Sequence, residues 1–471
     1  MLPSPISYIL WPAVVPANKA STMTICAAEP AYLMPEGKSF QVKTISVNSD
    51  ENYYDPKTHK TLTLQASQGV LQFDFIFEHE QEHLVQLISD DTVVDTFSVF
   101  SVLEDLYALT PLRGDLHSHS CRSDGTRDPA SQAGHYREQG YDFVALTDHN
   151  RFYPGDEIDT IYQDVNTGLT RVSGEEVHCP GSVVHIVHIG GKESVAAKYI
   201  HQAEDYEKQI EAYMTKVPDD IPEIYKDRYA KAMWATDAIH AAGGLAIFPH
   251  PFWRPNKSKI FNVCDDFAKI LLKSGMFDAY ELIGAMTQED NNRSVAFWGD
   301  LRAEGLQINV VGSSDIHNLR NYEHFPGHFT ICFAKENTND AILEAVKNGL
   351  SVAVETADFE PRKQYRCYGS TRLVTYAHFL LKHYFPKLQR LTAGAGVAMR
   401  AYTMEDTTAE LIDMHTQLAD KFTKRFFGRL APSLPSEKLL AFEQKARENQ
   451  LNEGPKTRGS SINASPAKSL I

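Results

Sequence analysis

The first part of the chain alternates hydrophobic and polar residues with the period of a β-strand. Short runs of this kind recur from about residue 21 to residue 109, among them SFQVKTISV, VLQFDFIFEH and DTFSVFSV, and turn residues separate them. A period of two, repeated at close intervals, indicates short strands with one buried face. We therefore predict a β-rich, sandwich-like domain over residues 1–110.

The pattern changes at about residue 111. Short continuous apolar runs, such as FVAL and LAIF, now alternate with stretches of helical periodicity that end in glycine. Buried strands that alternate with helices are typical of a parallel sheet covered by helices. The sequence predicts an α/β domain over residues 111–355, with a helical insertion at about 193–235.

The last part of the chain is predicted to be helical. STRLVTYAHFLLKHYFPKL and EDTTAELIDMHTQLADKFTKRFFGRL both carry apolar residues at helical spacing, as a helix that packs on a core requires. We expect a helical extension over residues 356–451. The tail at 452–471 is rich in Gly, Ser, Pro and Lys and is predicted to be disordered.

Side chains that can bind metal ions follow the apolar runs of the α/β domain. In a parallel α/β barrel the carboxyl ends of all strands open on one face, so residues placed after strands converge there. Two pairs in this set skip one residue, and on extended backbone positions i and i+2 face the same side. The set comprises His117, His119, Asp124, His149, Glu176, His185, His250, Asp315 and His317.

This mixture of imidazole and carboxylate suits Mn²⁺, Fe²⁺ or Zn²⁺, and the absence of cysteine argues against a closed structural zinc site. Nine side chains exceed the needs of one ion, so we predict two or three. Two ions ~3.5–4 Å apart can clamp the attacking and leaving oxygens of a displacement and lower the pKa of bound water to about 7. We predict a metal-dependent hydrolase whose catalytic residues include His117, His119, His250 and Asp315.

The motifs DLHSHSCRSDG, ALTDHN, GEEV, VHIVHIG, FPHP and GSSDIH lie between Asp115 and His317. In combination they resemble the PHP family, the polymerase and histidinol phosphatase superfamily. The resemblance implies a distorted (β/α)₇ barrel with a two- or three-metal site, and it assigns ligand roles to the same nine residues. HAAGGLAIFPHP and Asp124 look closest to a branch of small-nucleotide phosphoesterases. The β-rich leader instead resembles a branch that includes ester- and carbamate-cleaving hydrolases.

Two ligand positions stay open at this point. The family motif Gly-x-Glu favours Glu176, with Glu175 as the alternative. His185 matches the strand histidine of the family, but His188 lies three residues on and faces the opposite side of a strand. We therefore expect only one of these two histidines to be a ligand, and His188 could instead contact substrate. His178 is predicted to lie in a loop.

A phosphate group also needs cationic contacts. Arg254, in HPFWRP, follows a predicted ligand by four residues and is our first choice, with Arg151 as a second candidate. Further cations near the motifs are Arg122, Lys257 and Arg293. Asp148 is expected to orient a histidine ligand.

Composition narrows the range of partners. Lys and Arg number 46 against 61 Asp and Glu, which gives a net charge of −15. Such a surface argues against a stable nucleic-acid complex but is compatible with a small anionic substrate. The six cysteines form no C-x-x-C pair, which favours free thiols and a cytoplasmic location. No apolar run approaches the ~18 residues of a membrane span.

Three functions are compatible with these features. The first is hydrolysis of phosphate esters of a small molecule, such as a nucleotide. The second keeps the metal ions but cleaves a carboxylic ester, carbamate or amide, because the activated water is common to both reactions. The third is a non-catalytic binding protein with a vestigial metal site. The oligomeric state is left open by the sequence.

Overall fold

The computed structural model describes residues 7–48, 59–255, 258–318, 325–359 and 362–452. The chain divides into two compact units. The first comprises Met1–Ser101 and Arg425–Ile471, and the second comprises Val102–Lys424.

The first unit consists mainly of antiparallel strands. Two sheets have the orders β1-β3-β6 and β2-β8-β7-β4-β5. Alternate residues of these strands point into one apolar core that includes Ile25, Val42, Leu71 and Val85, as the period-two pattern predicts. The strands are β1 (Tyr8–Trp11), β2 (Val14–Pro16), β3 (Ala20–Ala27), β4 (Ser39–Ser46), β5 (Lys60–Gln65), β6 (Val70–Ile76), β7 (Gln81–Ser89) and β8 (Thr92–Val102).

The second unit is a mixed α/β fold. Its elements are α1 (Glu104–Tyr107), β9 (Thr110–Asp115), α2 (Pro129–Glu138), β10 (Phe143–Ala145), α3 (Pro154–Ile161), β11 (Thr170–Val172), β12 (Gly174–His178), β13 (His185–Ile189), α4 (Ala196–His201), α5 (Ala203–Met214), α6 (Lys226–Ala241), β14 (Leu245–Phe248), α7 (Asp265–Lys273), β15 (Ala279–Ile283), α8 (Gln288–Ala303), β16 (Asn309–Gly312), β17 (His328–Ala334), α9 (Asn339–Lys347), β18 (Ser351–Phe359), β19 (Arg362–Tyr368), α10 (Thr371–His383), α11 (Phe385–Tyr402) and α12 (Ala409–Phe426).

Local sequence explains where these elements begin and end. The side chain of Asp128 accepts a hydrogen bond from the backbone N–H of Ser131 and caps α2, which has a proline in its first turn. Gly140 follows that helix with φ +81°, a left-handed conformation that glycine adopts without strain. Strands β14 and β15 are buried along their whole length, which accounts for the continuous apolar run LAIF of β14.

Two sheets organise the second unit, with the orders β11-β10-β9-β17-β18-β19 and β12-β13-β14-β15-β16. Strands β9 to β11 are parallel to one another, as are β14 to β16. The pairs β12-β13, β13-β14, β9-β17 and β17-β18 are antiparallel, so the expected parallel sheet is found only in part. Isolated parallel bridges, Ser118 to Ile316 and His149 to Glu176, link the two sheets. The alternation of helices and strands is confirmed as a mixed α/β fold, and the closed (β/α)₇ barrel stays a prediction.

The region predicted as a helical extension, 356–451, has a different organisation. It begins within the antiparallel pair β18-β19, helices α10 and α11 belong to the second unit, and α13 (Glu437–Asn452) belongs to the first. The predicted insertion is helical and extends to Ala241, the end of α6. Residues 453–471, predicted to be disordered, lie outside the described residues. Among the helices in the described ranges, each falls short of the length and apolar character that crossing a membrane requires.

Candidate metal centre

The segments that follow β9 and β16 run side by side. The N–H of His119 donates to the carbonyl of Ile316, and the N–H of Asp315 donates to the carbonyl of His117. On this extended backbone Ser118 faces away and donates to the carbonyl of Ala145. The two histidines therefore face the same side, and their Nε2 atoms lie 3.2 Å apart.

Asp315 lies opposite these two rings. Its Oδ1 is 2.8 Å from His119 Nε2 and 3.3 Å from His117 Nε2. Both Asp315 and His250 have positive φ, 46° and 23°, which is uncommon for residues with a Cβ and is a form of local strain found at functional sites. The backbone is therefore held in an unfavourable conformation at two predicted ligands.

Glu176 is the central carboxylate of the cluster and is 1% exposed. Its Oε1 lies 2.8 Å from His185 Nδ1 and 3.3 Å from His250 Nε2. Its Oε2 lies 2.7 Å from His149 Nδ1 and 3.5 Å from His117 Nε2. One carboxylate thus faces imidazoles from four separate segments, and each of its two oxygens lies near a different pair of histidines.

An outer group of ligand-type side chains surrounds Asp124. Its Oδ2 lies 3.3 Å from His149 Nε2 and 3.4 Å from His317 Nε2. The rings of His119 and His317 are stacked with centroids 4.2 Å apart. The structure thus brings all nine predicted side chains together, and their role as ligands stays a prediction. A cavity of about 320 Å³ opens onto this cluster, lined by Asp124, His149, Glu176, His178, His185, His250, Trp253, Ala285, Asp315 and His317.

The donor atoms of this cluster fit divalent ions. Several buried atoms of the cluster have no hydrogen-bond partner in the described ranges: both carboxylate oxygens of Glu176, Oδ1 of Asp315 and ring nitrogens of His119, His185 and His178. Buried polar atoms are normally satisfied, so a group of unsatisfied ones that converge is a candidate ligand site. Nitrogen and carboxylate oxygen together match Mn²⁺, Fe²⁺ or Zn²⁺.

Burial and mutual attraction shift the pKa values of these groups. Burial alone lowers the pKa of His149, but the neighbouring carboxylates of Asp124 and Glu176 overcome it and raise the pKa to about 10. For His317, burial is likewise overcome by the hydrogen bond to Asp124 and the charge of Asp315, and the pKa rises to about 9. Burial would raise the pKa of Glu176, yet the surrounding histidines hold it well below its usual range. Without metal, protons on His149 and His317 therefore offset the charge of the carboxylates, whereas burial lowers the pKa of His185 to about 4.

Glu281 is a functional candidate that the sequence reasoning missed. Its buried Oε2 lies 2.8 Å from His117 Nδ1. Since a carboxylate only accepts, Nδ1 carries the hydrogen and Nε2 presents its lone pair to the cluster. The signal available in the sequence is an acidic residue inside the apolar strand AYELI.

His178 was also missed as a member of the site. It is the last residue of β12 rather than a loop residue, and its Nε2 lies 3.4 Å from Glu176 Oε2. Its spacing of two from Glu176 on a strand was the signal that could have found it.

The pairing of β12 with β13 distinguishes Glu176 from Glu175 and His185 from His188. In this pairing Glu175 lies opposite His188. Glu176 and His185 face the cluster, whereas Glu175 and His188 meet on the other side with Nδ1 3.3 Å from Oε1. His188 is fully buried, and its Nε2 occupies the space that a Cβ on Gly244 would need. The structure therefore places His188 away from the cavity instead of at a substrate-contacting position.

The cations predicted to contact phosphate, or to lie near the motifs, differ in their positions. Arg254 pairs with Asp290 at 2.7 Å and is not among the residues that line the cavity. Arg151 is exposed and lines an adjoining cavity of about 640 Å³ together with His149 and Tyr153. Arg122 pairs with Glu157 and Arg293 with Asp265, and Lys257 lies outside the described residues.

Two buried aspartates fix the loops of the site. Asp148 accepts from the backbone N–H and hydroxyl of Ser120 and from the hydroxyl of Ser123, so it orders the loop before Asp124 rather than a histidine. Asp115 accepts from the N–H groups of His117 and Ser314 at 3.2 and 3.1 Å and from the hydroxyl of Tyr136 at 2.8 Å. Burial raises the pKa of Asp115 to about 6.

Comparison with known proteins gives partial similarities. No family model matches the chain. A curated relative described as a 5'-3' exoribonuclease, from Haemophilus influenzae, is 25% identical over 257 residues, and the match covers 43% of this chain and 89% of the relative.

Similar solved structures include a two-domain protein from Bacteroides vulgatus described as containing a PHP-like metal-dependent phosphoesterase (18% identity, TM-score 0.34, 56% of this chain and 76% of that one). Another is a protein from Bifidobacterium adolescentis described as a metal-dependent phosphoesterase (16% identity, TM-score 0.31, 43% of this chain and 87% of that one). A third is an amidohydrolase from Chromobacterium violaceum (18% identity, TM-score 0.29, 44% of this chain and 88% of that one). PHP-like metal-dependent phosphoesterases, the family that the motifs resemble, are therefore among the structural neighbours of this chain.

Proposed function

We propose that this chain is a metal-dependent phosphoesterase that hydrolyses phosphate esters of a small molecule such as a nucleotide. Two or three divalent ions, Mn²⁺, Fe²⁺ or Zn²⁺, are held by the nine clustered side chains. The observation that carries the proposal is the buried Glu176 carboxylate, whose oxygens have no hydrogen-bond partner among the described residues and face imidazoles on both sides.

A barrel architecture accompanies this proposal. The bridge from Ser118 to Ile316 joins the ends of β9 and β16, and the bridge from His149 to Glu176 joins the ends of β10 and β12. With these bridges the strands follow one another in the order β9-β10-β12-β13-β14-β15-β16 and return to β9. We infer a distorted (β/α)₇ barrel, with the ligands at its carboxyl-terminal rim.

The residues of the chain have distinct tasks in this chemistry. Bound divalent ions supply Lewis acidity and make water acidic enough to act as a nucleophile near neutral pH. Glu281 fixes the tautomer of His117, and Asp115 fixes the loops that carry His117 and Asp315. Attack of the water oxygen on phosphorus expels the alcohol, and the cavity holds the ester in position for that displacement.

The substrate class is proposed from the surroundings of the cluster. Arg151 and Tyr153 line the cavity that adjoins His149, and together they offer a cation for phosphate and a ring for a base. The relative from Haemophilus influenzae is described as an exoribonuclease, which favours a nucleotide. The net charge of −15 favours a small substrate over a stable complex with a long nucleic acid. Each of the six cysteines is a free thiol, which supports a cytoplasmic location.

The test uses the full-length protein, stripped of metal and reloaded with Mn²⁺. It is offered a nucleoside 5′-monophosphate, a phosphodiester and p-nitrophenyl acetate. We expect hydrolysis of a phosphate ester that Asp315→Asn lowers by at least about 100-fold. Asp237→Asn is the matched control, because Asp237 is exposed and accepts a hydrogen bond from the hydroxyl of Tyr213.

Three outcomes would contradict the proposal. Full phosphatase activity in Asp315→Asn would show that the clustered side chains are not the catalytic site. Hydrolysis confined to p-nitrophenyl acetate would favour the carboxylic ester, carbamate or amide alternative. A protein that cleaves no ester and whose melting temperature is unaffected by Mn²⁺ would favour the non-catalytic alternative.

A further inference from the structure

His178 stands at the cavity in a fixed orientation. Its backbone N–H donates to Asn150 Oδ1 at 2.8 Å, and its ring stacks on His185 with centroids 3.8 Å apart and an interplanar angle of 22°. The ring of His149 lies 4.5 Å away on another side. The side chain is 27% exposed, so one edge of the ring meets the cavity while the rest is packed.

The Nε2 atom of this ring is chemically unsatisfied. It is buried and has no hydrogen-bond partner within the part of the chain that the structure describes, as is also true of Glu176 Oε2, 3.4 Å away. Leaving a buried nitrogen and a buried carboxylate oxygen unsatisfied is energetically unfavourable for each of them. An ion between them would remove that cost for both groups at once.

We propose that His178 is a tenth metal ligand, which with Glu176 and His149 holds one of the divalent ions. Ligand atoms of these three side chains all lie within 4.8 Å of one another. Two ligand atoms that are each ~2.1 Å from a shared ion can lie at most about 4.2 Å apart, and the 3.4 Å between His178 Nε2 and Glu176 Oε2 is within that limit. The inference rests on the proposed metal centre and is independent of which ester is cleaved.

This assignment changes the role of His149. Its Nδ1 faces Glu176 and its Nε2 faces Asp124, but a neutral imidazole offers one lone pair. His149 therefore serves one of two neighbouring ions at a time. With His178 present, the ion beside Glu176 keeps a nitrogen ligand even when His149 binds the ion beside Asp124.

The experiment measures metal binding and requires no turnover. His178→Leu removes the lone pair while keeping bulk, and His178→Cys replaces it with a thiolate. After equilibrium dialysis of the full-length protein against Mn²⁺, we expect His178→Leu to bind one ion fewer, or its weakest ion at least about tenfold less tightly. With Cd²⁺, His178→Cys should show a thiolate-to-metal charge-transfer absorption in excess of that given by the six native thiols of the wild type.

His240→Leu and His240→Cys are the matched controls, because His240 pairs with Asp278 at 2.8 Å outside the cluster. Circular dichroism of each metal-free variant checks folding, and the cysteine variant keeps the test decisive if the leucine variant misfolds. Unchanged Mn²⁺ binding by a folded His178→Leu, or no new absorption in a folded His178→Cys, would overturn the proposal. A wild type that binds metal yet cleaves no phosphate ester would refute only the proposed function.

Discussion

Replacing Glu281 by glutamine tests whether this buried carboxylate controls the metal centre through His117. The substitution keeps the size and shape of the side chain and removes its charge. Glu281 Oε2 lies 2.8 Å from His117 Nδ1, and both side chains are at most 1% exposed, so water does not screen the interaction. The neutral amide oxygen can still accept from Nδ1–H, and the tautomer is therefore retained.

The magnitude follows from the kind of hydrogen bond that is lost. A hydrogen bond to a charged group contributes about 1.5–3 kcal/mol and a neutral one about 0.5–1.5 kcal/mol. The difference, about 1–1.5 kcal/mol, measures how much less basic His117 Nε2 becomes. Since 1.4 kcal/mol corresponds to a factor of ten, we expect metal affinity to fall about tenfold, at the lower end of the range known for partners of ligating histidines.

The assay is a competition titration of Mn²⁺ between the protein and a chelating dye at constant pH. Glu344→Gln is the control, because Glu344 pairs with Lys335 at an exposed position. Melting of the metal-free proteins separates a local effect from a loss of structure. An affinity within twofold of the wild type, in a variant that is folded, would show that Glu281 does not act through His117.

Two further predictions concern protons and substrate. In the metal-free protein the pKa values of His149 and His317 are about 10 and 9, against an ordinary value of 6.5. The stability that these protons provide is complete below pH 6.5 and is lost as the pH rises through 9 to 10. The melting temperature of the metal-free protein should therefore fall over that interval, while stabilisation by Mn²⁺ grows. A melting temperature of the metal-free protein that rises over the same interval would contradict the assigned shifts. Arg151→Ala should raise the KM for a nucleoside monophosphate several-fold with little change in kcat, whereas Arg254→Ala, whose side chain is held by Asp290, should change KM less. Steady-state kinetics of both variants, with Arg302→Ala as the control, measure the two KM values. A larger rise in KM for Arg254→Ala than for Arg151→Ala would indicate that Arg254 makes the phosphate contact.

The sequence was informative where chemistry coincides with strand ends. His250 and Asp315 follow apolar runs that are indeed buried strands, and the i, i+2 rule correctly placed His117 beside His119. These inferences succeed because burial of a strand and the direction of its side chains are local properties.

Other features depend on pairing, which one segment does not encode. The choice between Glu175 and Glu176 became clear only with the β12-β13 register. That pair is antiparallel because residues 179–184 form too short a connection for the crossover that parallel strands require. Glu281 was overlooked because a charged residue in a buried strand is meaningful only when its partner, 164 positions away, is known.

The Asp115 carboxylate joins parts of the chain that are synthesised at very different times. It receives the N–H of Ser314, 199 positions further on, and until that segment leaves the ribosome the pocket lacks both Asp315 and His317. Before then the nascent chain carries only seven of the nine proposed ligands, and the loops that Asp115 joins cannot yet be held together. If the nine side chains bind metal as proposed, the cation is therefore selected by the folded protein and not by whichever ion first meets the growing polypeptide.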